Sequence, residues 1–151
     1  MKIGIVGMGW VGASVASSIL NSGLATELLL DDAKPGLAEG EAMDLAHGAA
    51  FYPTASVRAA SIDEMLDADA VIIAAGKGGG PQDSRLDLLR VNARIVHDIA
   101  RRLSAMHGML VIVTNPVDVM TQVAAEASGL PLPRVIGTGT MLDTARLREA
   151  L

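Results

Sequence analysis

A short strand that runs directly into a glycine turn constrains this chain more than any other feature. Lys2-Ile3-Gly4-Ile5-Val6 reads as the strand and Gly7-Met8-Gly9-Trp10-Val11-Gly12 as the turn. A helix-like run of small and apolar residues follows and is closed by Asn21-Ser22-Gly23. A second apolar run, Leu28-Leu29-Leu30, ends at Asp31, nineteen residues past Gly12. Each part has a task in holding a dinucleotide. Gly7 permits the tight turn, Gly9 lets the backbone approach a pyrophosphate, and Gly12 lets helix and strand pack closely. The helix N-terminus offers free N–H groups and the positive end of a dipole. An acidic side chain at the end of the second strand accepts from ribose hydroxyls. Asp31 directly follows the apolar run and is the preferred acceptor, with the adjacent Asp32 as its alternative. An acid here, in place of Arg, favours NAD over NADP. A glycine turn alone is weak support; the strand before it, the helix after it and the acid beyond it supply the context.

Composition narrows the class. The 151 residues suit one domain, and at 50% hydrophobic with mean hydropathy +0.40 the chain can bury a core. Aromatics are only 2%, so that core is expected from Ala, Val, Ile, Leu and the eight Met. A net charge of −5 gives no electrostatic support to nucleic-acid binding. No apolar run approaches the ~18 residues of a membrane span, and the N-terminus enters a strand without a signal-like stretch. The absence of Cys rules out disulfide and thiolate chemistry and is compatible with a cytoplasmic location. His47, His97 and His107 are scattered, without metal-ligand spacing, so no metal is expected.

Strand-like and helix-like segments alternate along the chain, which predicts an α/β fold with a doubly wound parallel sheet. Helices are expected over 10–22, 36–46, 85–106, 116–128 and 141–151, with a single helical turn at 63–66. Strands are expected at 56–59, 70–75, 109–113 and 135–136 besides the first two. The long helix should bury a face carrying Leu88, Val91, Ile95, Ile99 and Leu103. Gly76-Lys77-Gly78-Gly79-Gly80-Pro81 interrupts regular structure. In such a sheet ligands bind beyond the carboxyl ends of the strands. Polar or glycine residues gather at those ends: Gly7–Gly12, Asp31, Gly76–Arg85, Thr114-Asn115 and Gly137-Thr138-Gly139-Thr140.

Several stretches together resemble the N-terminal half of the L-lactate/malate dehydrogenase family, most closely its L-lactate enzymes. Besides the glycine turn they are Gly40-Glu41-Ala42-Met43-Asp44-Leu45-Ala46-His47-Gly48, Ser84-Arg85-Leu86-Asp87-Leu88-Leu89 and Thr114-Asn115-Pro116-Val117-Asp118. Val135-Ile136-Gly137-Thr138-Gly139-Thr140 and Leu142-Asp143-Thr144-Ala145-Arg146 complete the set. The resemblance implies a Rossmann-type NAD-binding domain over residues 1–140. Residues 141–151 would begin the helix leading into a catalytic domain.

The resemblance also implies roles. Arg85 would sit on a loop that closes over substrate and polarises its carbonyl. Asn115 would hydrogen-bond the substrate oxygen near the nicotinamide. Arg146 would grip the substrate carboxylate with two prongs, and Asp143 would orient and charge-stabilise a catalytic histidine. Val11 would lie along the pyrophosphate and Thr138 would border the nicotinamide, and Met8, Trp10, Ala75, Gly76, Lys77 and Val113 would complete the cofactor side with the turn glycines. A planar guanidinium suits a carboxylate in a way that Lys does not. Plain structural readings stand beside these: Arg85 as a surface residue at a helix start, Asn115 as a helix cap, and Asp143 with Arg146 as an i, i+3 surface ion pair.

Two departures from the family pattern matter. The family's proton-donating histidine lies in a Gly-Glu-His-Gly-Asp motif of the C-terminal half, and residues 1–151 do not contain it. The chain is therefore expected to be an N-terminal fragment that binds NAD but lacks efficient turnover by itself, since losing a general acid–base removes ~10²–10⁴ in rate. Six residues before Arg85, where lactate enzymes have Gln and malate enzymes Arg, this chain has Gly79. Without an Arg there a second substrate carboxylate has no partner, so a small L-2-hydroxy acid such as L-lactate is expected in preference to malate. Malate-type activity, L-2-hydroxyisocaproate-type activity and a non-catalytic NAD-binding module are the alternatives. Relatives form dimers and tetramers with the 36–48 helix at a subunit contact, so a homo-oligomer with no membrane or nucleic-acid partner is expected.

Overall fold

The computed structural model describes residues 1–53, 55–80, 82 and 84–151. Pro81, part of the expected glycine break, lies outside the described residues. Among the described residues six parallel strands form one sheet: β1 (Lys2–Val6), β2 (Glu27–Asp31), β3 (Ser56–Ala59), β4 (Ala70–Ile73), β5 (Met109–Ile112) and β6 (Val135–Gly137). Their order across the sheet is β3-β2-β1-β4-β5-β6. The helices are α1 (Trp10–Ser22), α2 (Leu37–His47), α3 (Arg85–Arg102), α4 (Val117–Ser128) and α5 (Met141–Ala150), with short 3₁₀ turns between some elements. This is the Rossmann-type order. The winding reverses direction between β1 and β4, which opens a crevice at their carboxyl ends.

Parallel strands buried on both faces need continuous apolar runs. Leu28, Leu29 and Leu30 of β2 are all fully buried. They divide between two cores because successive side chains point to opposite faces. Leu29 joins Val71, Ile73, Leu110 and Ile112 under α3 and α4. Leu28 and Leu30 join Ile3, Ile5, Ile19, Leu20 and Leu45 under α1 and α2. Each fully buried side chain of this kind contributes about 1.5–3 kcal/mol. Methionines fill part of both cores, as the scarcity of aromatics requires: Met65, Met106 and Met120 in one and Met8 in the other.

The expected helix over 85–106 ends early, at Arg102. Beyond Leu103 the chain must fold back along β4. There Gly108 passes so close to the carbonyls of Ala68 and Asp69 that a Cβ would strike both. The buried face of α3 is also rotated from expectation. It carries Asn92, Val96, Ile99 and Ala100, with Leu103 buried just past the helix end. Val91 lies outside it, 38% exposed.

At the amino ends of the strands the polar groups hold structure together. Asp69 accepts from the Lys2 backbone N–H at 2.8 Å, and the Lys2 ammonium pairs with Asp67 at 2.8 Å. The carboxyl ends carry the residues of interest.

Candidate dinucleotide and substrate site

The glycine turn is built by close approaches that side chains would prevent. Gly7 has φ +100° and lies against the backbone of Ala75 at the end of β4; a Cβ there would strike the Ala75 amide. Gly12 presses on the carbonyl of Gly7, so helix and turn touch without a side chain between them. Gly9 differs: a Cβ built on it meets nothing within 4 Å. The space above Gly9 is open, and α1 begins there without a side-chain cap and without an acid in its first turn. The orphan N–H groups of that turn face a region suited to an anion.

The end of the second strand supplies the acids: Asp31 closes β2 and Asp32 follows it. The Asp31 carbonyl accepts from Gly7 N–H at 2.8 Å, which ties the turn to β2 through backbone alone. The Asp32 carboxylate accepts from Met8 N–H at 2.7 Å through one oxygen and from Lys34 N–H at 2.8 Å through the other. Asp32 is therefore the side chain in contact with the glycine turn. Strand alternation sends Asp31 to the opposite face, the side of Leu29. Burial raises its carboxyl above the ordinary value; Arg102 opposes this, while Asp32 and Asp63 add to it. The sequence preference for Asp31 rested on its place after the apolar run, which does not reveal which face carries the turn. A hollow of about 310 Å³ at this strand end is lined by both acids together with Gly36, Glu39 and Ser61.

The other strand ends converge on one knot. Ladder bonds continue past the strands: Ala74 N–H to Val6 O at 2.9 Å, Val113 N–H to Ile73 O at 2.9 Å, and Thr138 N–H to Ile112 O at 3.0 Å. The Thr114 hydroxyl donates to Ala75 O at 2.8 Å and lies 3.2 Å from Ile73 O. Asn92, 6% exposed on α3, accepts from Lys77 N–H at 2.7 Å and donates to Asn115 O at 3.1 Å. Sequence reasoning missed Asn92. A polar residue between Val91 and Ala93, inside the apolar half of an amphipathic helix, was the available signal. Asn115 is followed by a cis peptide bond to Pro116, which caps α4.

The remaining expected substrate residues are exposed. Arg85 is the first residue of α3, after Ser84. Gly79 lies beside Leu88, whose Cδ1 would be 2.6 Å from an added Cβ. Asp143 and Arg146 pair at 3.3 Å on α5, each side chain about two-thirds exposed. No residue of α5 is buried. A groove of about 680 Å³ runs the length of α1 on its outside, from Trp10 and Val11 to Leu24, with Ile72 in its floor. Its apolar lining marks an uncovered face rather than a nucleotide cleft.

Comparison with known proteins agrees with this geometry. The family model described as lactate/malate dehydrogenase, NAD binding domain, matches residues 1–137. L-lactate dehydrogenase 2 of Enterococcus faecalis is 48% identical over 153 residues, covering 99% of this chain and 48% of the relative. Among solved structures, the minor L-lactate dehydrogenase from Enterococcus mundtii in its ligands-bound form superimposes with a TM-score of 0.94 at 44% identity. It covers 98% of this chain and 48% of that one. The malate dehydrogenase from Aeropyrum pernix gives 0.89 at 39% identity, covering 96% and 48%. The chain thus spans about half the length of the relatives it matches. With the family match spanning most of the chain and the strand order that of a Rossmann-type sheet, the chain belongs to the lactate/malate dehydrogenase family, is most like L-lactate dehydrogenase, and has NAD as its cofactor.

Proposed function

We propose that this chain is the dinucleotide-binding half of an NAD-dependent L-2-hydroxy-acid dehydrogenase acting on the L-lactate/pyruvate pair. The carrying observation is the cradle at the first β–α junction: open space over Gly9 beside an Asp32 carboxylate bonded to Met8 N–H. The nicotinamide, when bound, takes up or gives the hydride. The N–H groups at the start of α1, at Trp10 and Val11 beside Gly9, hold the pyrophosphate. Asp32 accepts from the ribose hydroxyls, a preference over Asp31 that its contact with the turn supports. Ala75, Gly76, Lys77, Val113, Asn115 and Thr138, at the ends of β4, β5 and β6, border the rest of the cofactor.

On the substrate side, Arg146 grips the carboxylate and fixes the small acid before reaction. Arg85, the first residue of α3 just past the glycine-rich stretch, polarises the carbonyl and excludes water as that segment closes. Asn115 donates to the same oxygen. Asp143 holds a histidine supplied by the C-terminal half that relatives carry, and that histidine moves the proton. For both roles the Asp143–Arg146 pair must open. An exposed pair of this kind contributes only about 0.2–1 kcal/mol, so substrate and histidine readily displace it. Residues 1–140 form the cofactor unit, and α5, wholly exposed, leads toward the catalytic half. A homo-oligomer in the cytoplasm belongs to this reading. Among the described residues no helix is long and apolar enough to cross a membrane.

The test has two stages. Titration with NADH and NADPH, on wild type, Asp31→Arg and Asp32→Arg, reads the ribose acceptor. Only Asp32→Arg should move preference toward NADPH. A shift in Asp31→Arg alone returns the role to Asp31. A chimera completed with the C-terminal half of a lactate dehydrogenase should then reduce 2-oxo acids with NADH, pyruvate among the best. A chimera that folds and binds NADH but reduces none favours a non-catalytic binding module.

A further inference from the structure

The buried face of α3 is apolar except at one position. Val96, Ile99 and Ala100 pack into the core, yet Asn92 stands with them, 6% exposed. A buried amide is costly unless its polar atoms are matched, and here they are matched by backbone alone. Its Oδ1 accepts from Lys77 N–H at 2.7 Å; its Nδ2 donates to Asn115 O at 3.1 Å and lies 3.4 Å from Lys77 O. Lys77 belongs to the loop after β4 and Asn115 to the loop after β5. One side chain therefore ties together the two loops on the far side of the crevice from the glycine turn.

The tie has no slack. A Cβ on Gly76 would lie 2.9 Å from Thr114 Cγ2 and 3.3 Å from Asn92 Oδ1, so the two loops are already in contact. Thr114 is pinned from below by its bond to Ala75 O. The separation between the Lys77 and Asn115 backbones is thus set by the length of one amide. A leucine of similar size would fill the volume and leave a donor on Lys77 and an acceptor on Asn115 without these partners.

We propose that Asn92 is a positioning residue for the nicotinamide half of the dinucleotide, acting through the backbones of Lys77 and Asn115 without touching the cofactor itself. The inference rests on the dinucleotide reading above and adds that the two halves of the ligand are held by separately tunable parts. The adenine and pyrophosphate half depends on the glycine turn and Asp32. The nicotinamide half depends on the loop spacing that Asn92 sets.

The test is calorimetric titration of this chain with NADH and with ADP-ribose, which lacks the nicotinamide. Asn92→Asp and Asn92→Leu are compared with wild type, and thermal denaturation is run alongside. Asn92→Asp is nearly isosteric but turns a carboxylate oxygen toward the Asn115 carbonyl. Wild type should bind NADH at least tenfold more tightly than ADP-ribose. In Asn92→Asp the NADH affinity should fall about tenfold while the ADP-ribose affinity stays within about twofold. Asn92→Leu should repeat the split, and if it does not fold, Asn92→Asp decides alone. An equal loss for both ligands in Asn92→Asp, or no loss for either, makes Asn92 a structural tie only and overturns the proposal. Equal wild-type affinities for NADH and ADP-ribose also overturn it, while leaving dinucleotide binding intact. Wild type binding neither ligand removes the dinucleotide reading itself.

Discussion

At the scale of single residues, the three glycines of the turn are not equivalent. Gly12 is pressed against the Gly7 carbonyl, whereas Gly9 faces open space with an ordinary negative φ of −71°. Gly12→Ala should therefore cost about 1–3 kcal/mol of stability through overpacking. Gly9→Ala should leave the melting temperature nearly unchanged and weaken NADH at least tenfold, because only the ligand needs that space. Denaturation and titration of the two variants separate these effects; a stable Gly12→Ala that binds normally would refute the packing argument. The acids at the end of β2 diverge in the same way. Burial raises the Asp31 carboxyl, so the folded chain holds its proton more tightly than the unfolded one. Its ionisation then costs stability as pH rises from the ordinary value of 3.8 upward. Asp31→Asn should accordingly raise the melting temperature at neutral pH, with the gain vanishing below that value. A melting temperature unchanged across this range would show that burial does not disfavour the carboxylate.

At the scale of elements, the type of nearly every segment was legible in the sequence, because the central strands are apolar runs, β3 alternates in Ser56-Val57-Arg58-Ala59, and α3 carries a clear helical period. Ends were less legible. Where α3 stops is decided by Gly108 sliding under Ala68 and Asp69, a contact 39 residues away that no local pattern reveals. Its buried face is turned to admit Asn92, whose partners sit on two other loops. The short 3₁₀ turn at Ile62–Met65 was nearly placed, but its capping box was not recognised. There Glu64 accepts from the Ser61 backbone N–H at 2.8 Å and from Arg58 at 2.8 Å, which holds its carboxyl at about 2 against an ordinary 4.5. A lowered acid contributes stability that is complete above 4.5 and lost as pH falls toward about 2. Glu64→Gln should flatten the acid limb of the melting-temperature profile in that window. An identical acid limb in the variant would show that the cap does not contribute.

At the scale of the whole molecule, the two faces of the sheet are unequally covered. Helices α3 and α4 shield one side, while α1 and α2 pack over β1, β2 and β3 on the other. Ile72 and Val111 remain partly exposed, Ile136 is 45% exposed, and Trp10, which shares a groove with Ile72, is 94% exposed. Parallel sheets are ordinarily covered on both faces, so the chain by itself should associate as its concentration rises. Sedimentation equilibrium showing one ideal monomer across a wide loading range would contradict this.

Which side chains would meet a ligand was partly legible for a related reason. The glycines announce the turn, but only the fold shows that Asp32 touches it and that Arg146 already has Asp143 as a neighbour. Trp10, the chain's one tryptophan, stands at the first position of α1 beside that turn. Its fluorescence during NADH titration therefore reports on the central claim directly. The account predicts saturable, single-site quenching by NADH that NADPH reproduces only at much higher concentration. Quenching that never saturates, or that NADH and NADPH produce equally, would contradict it.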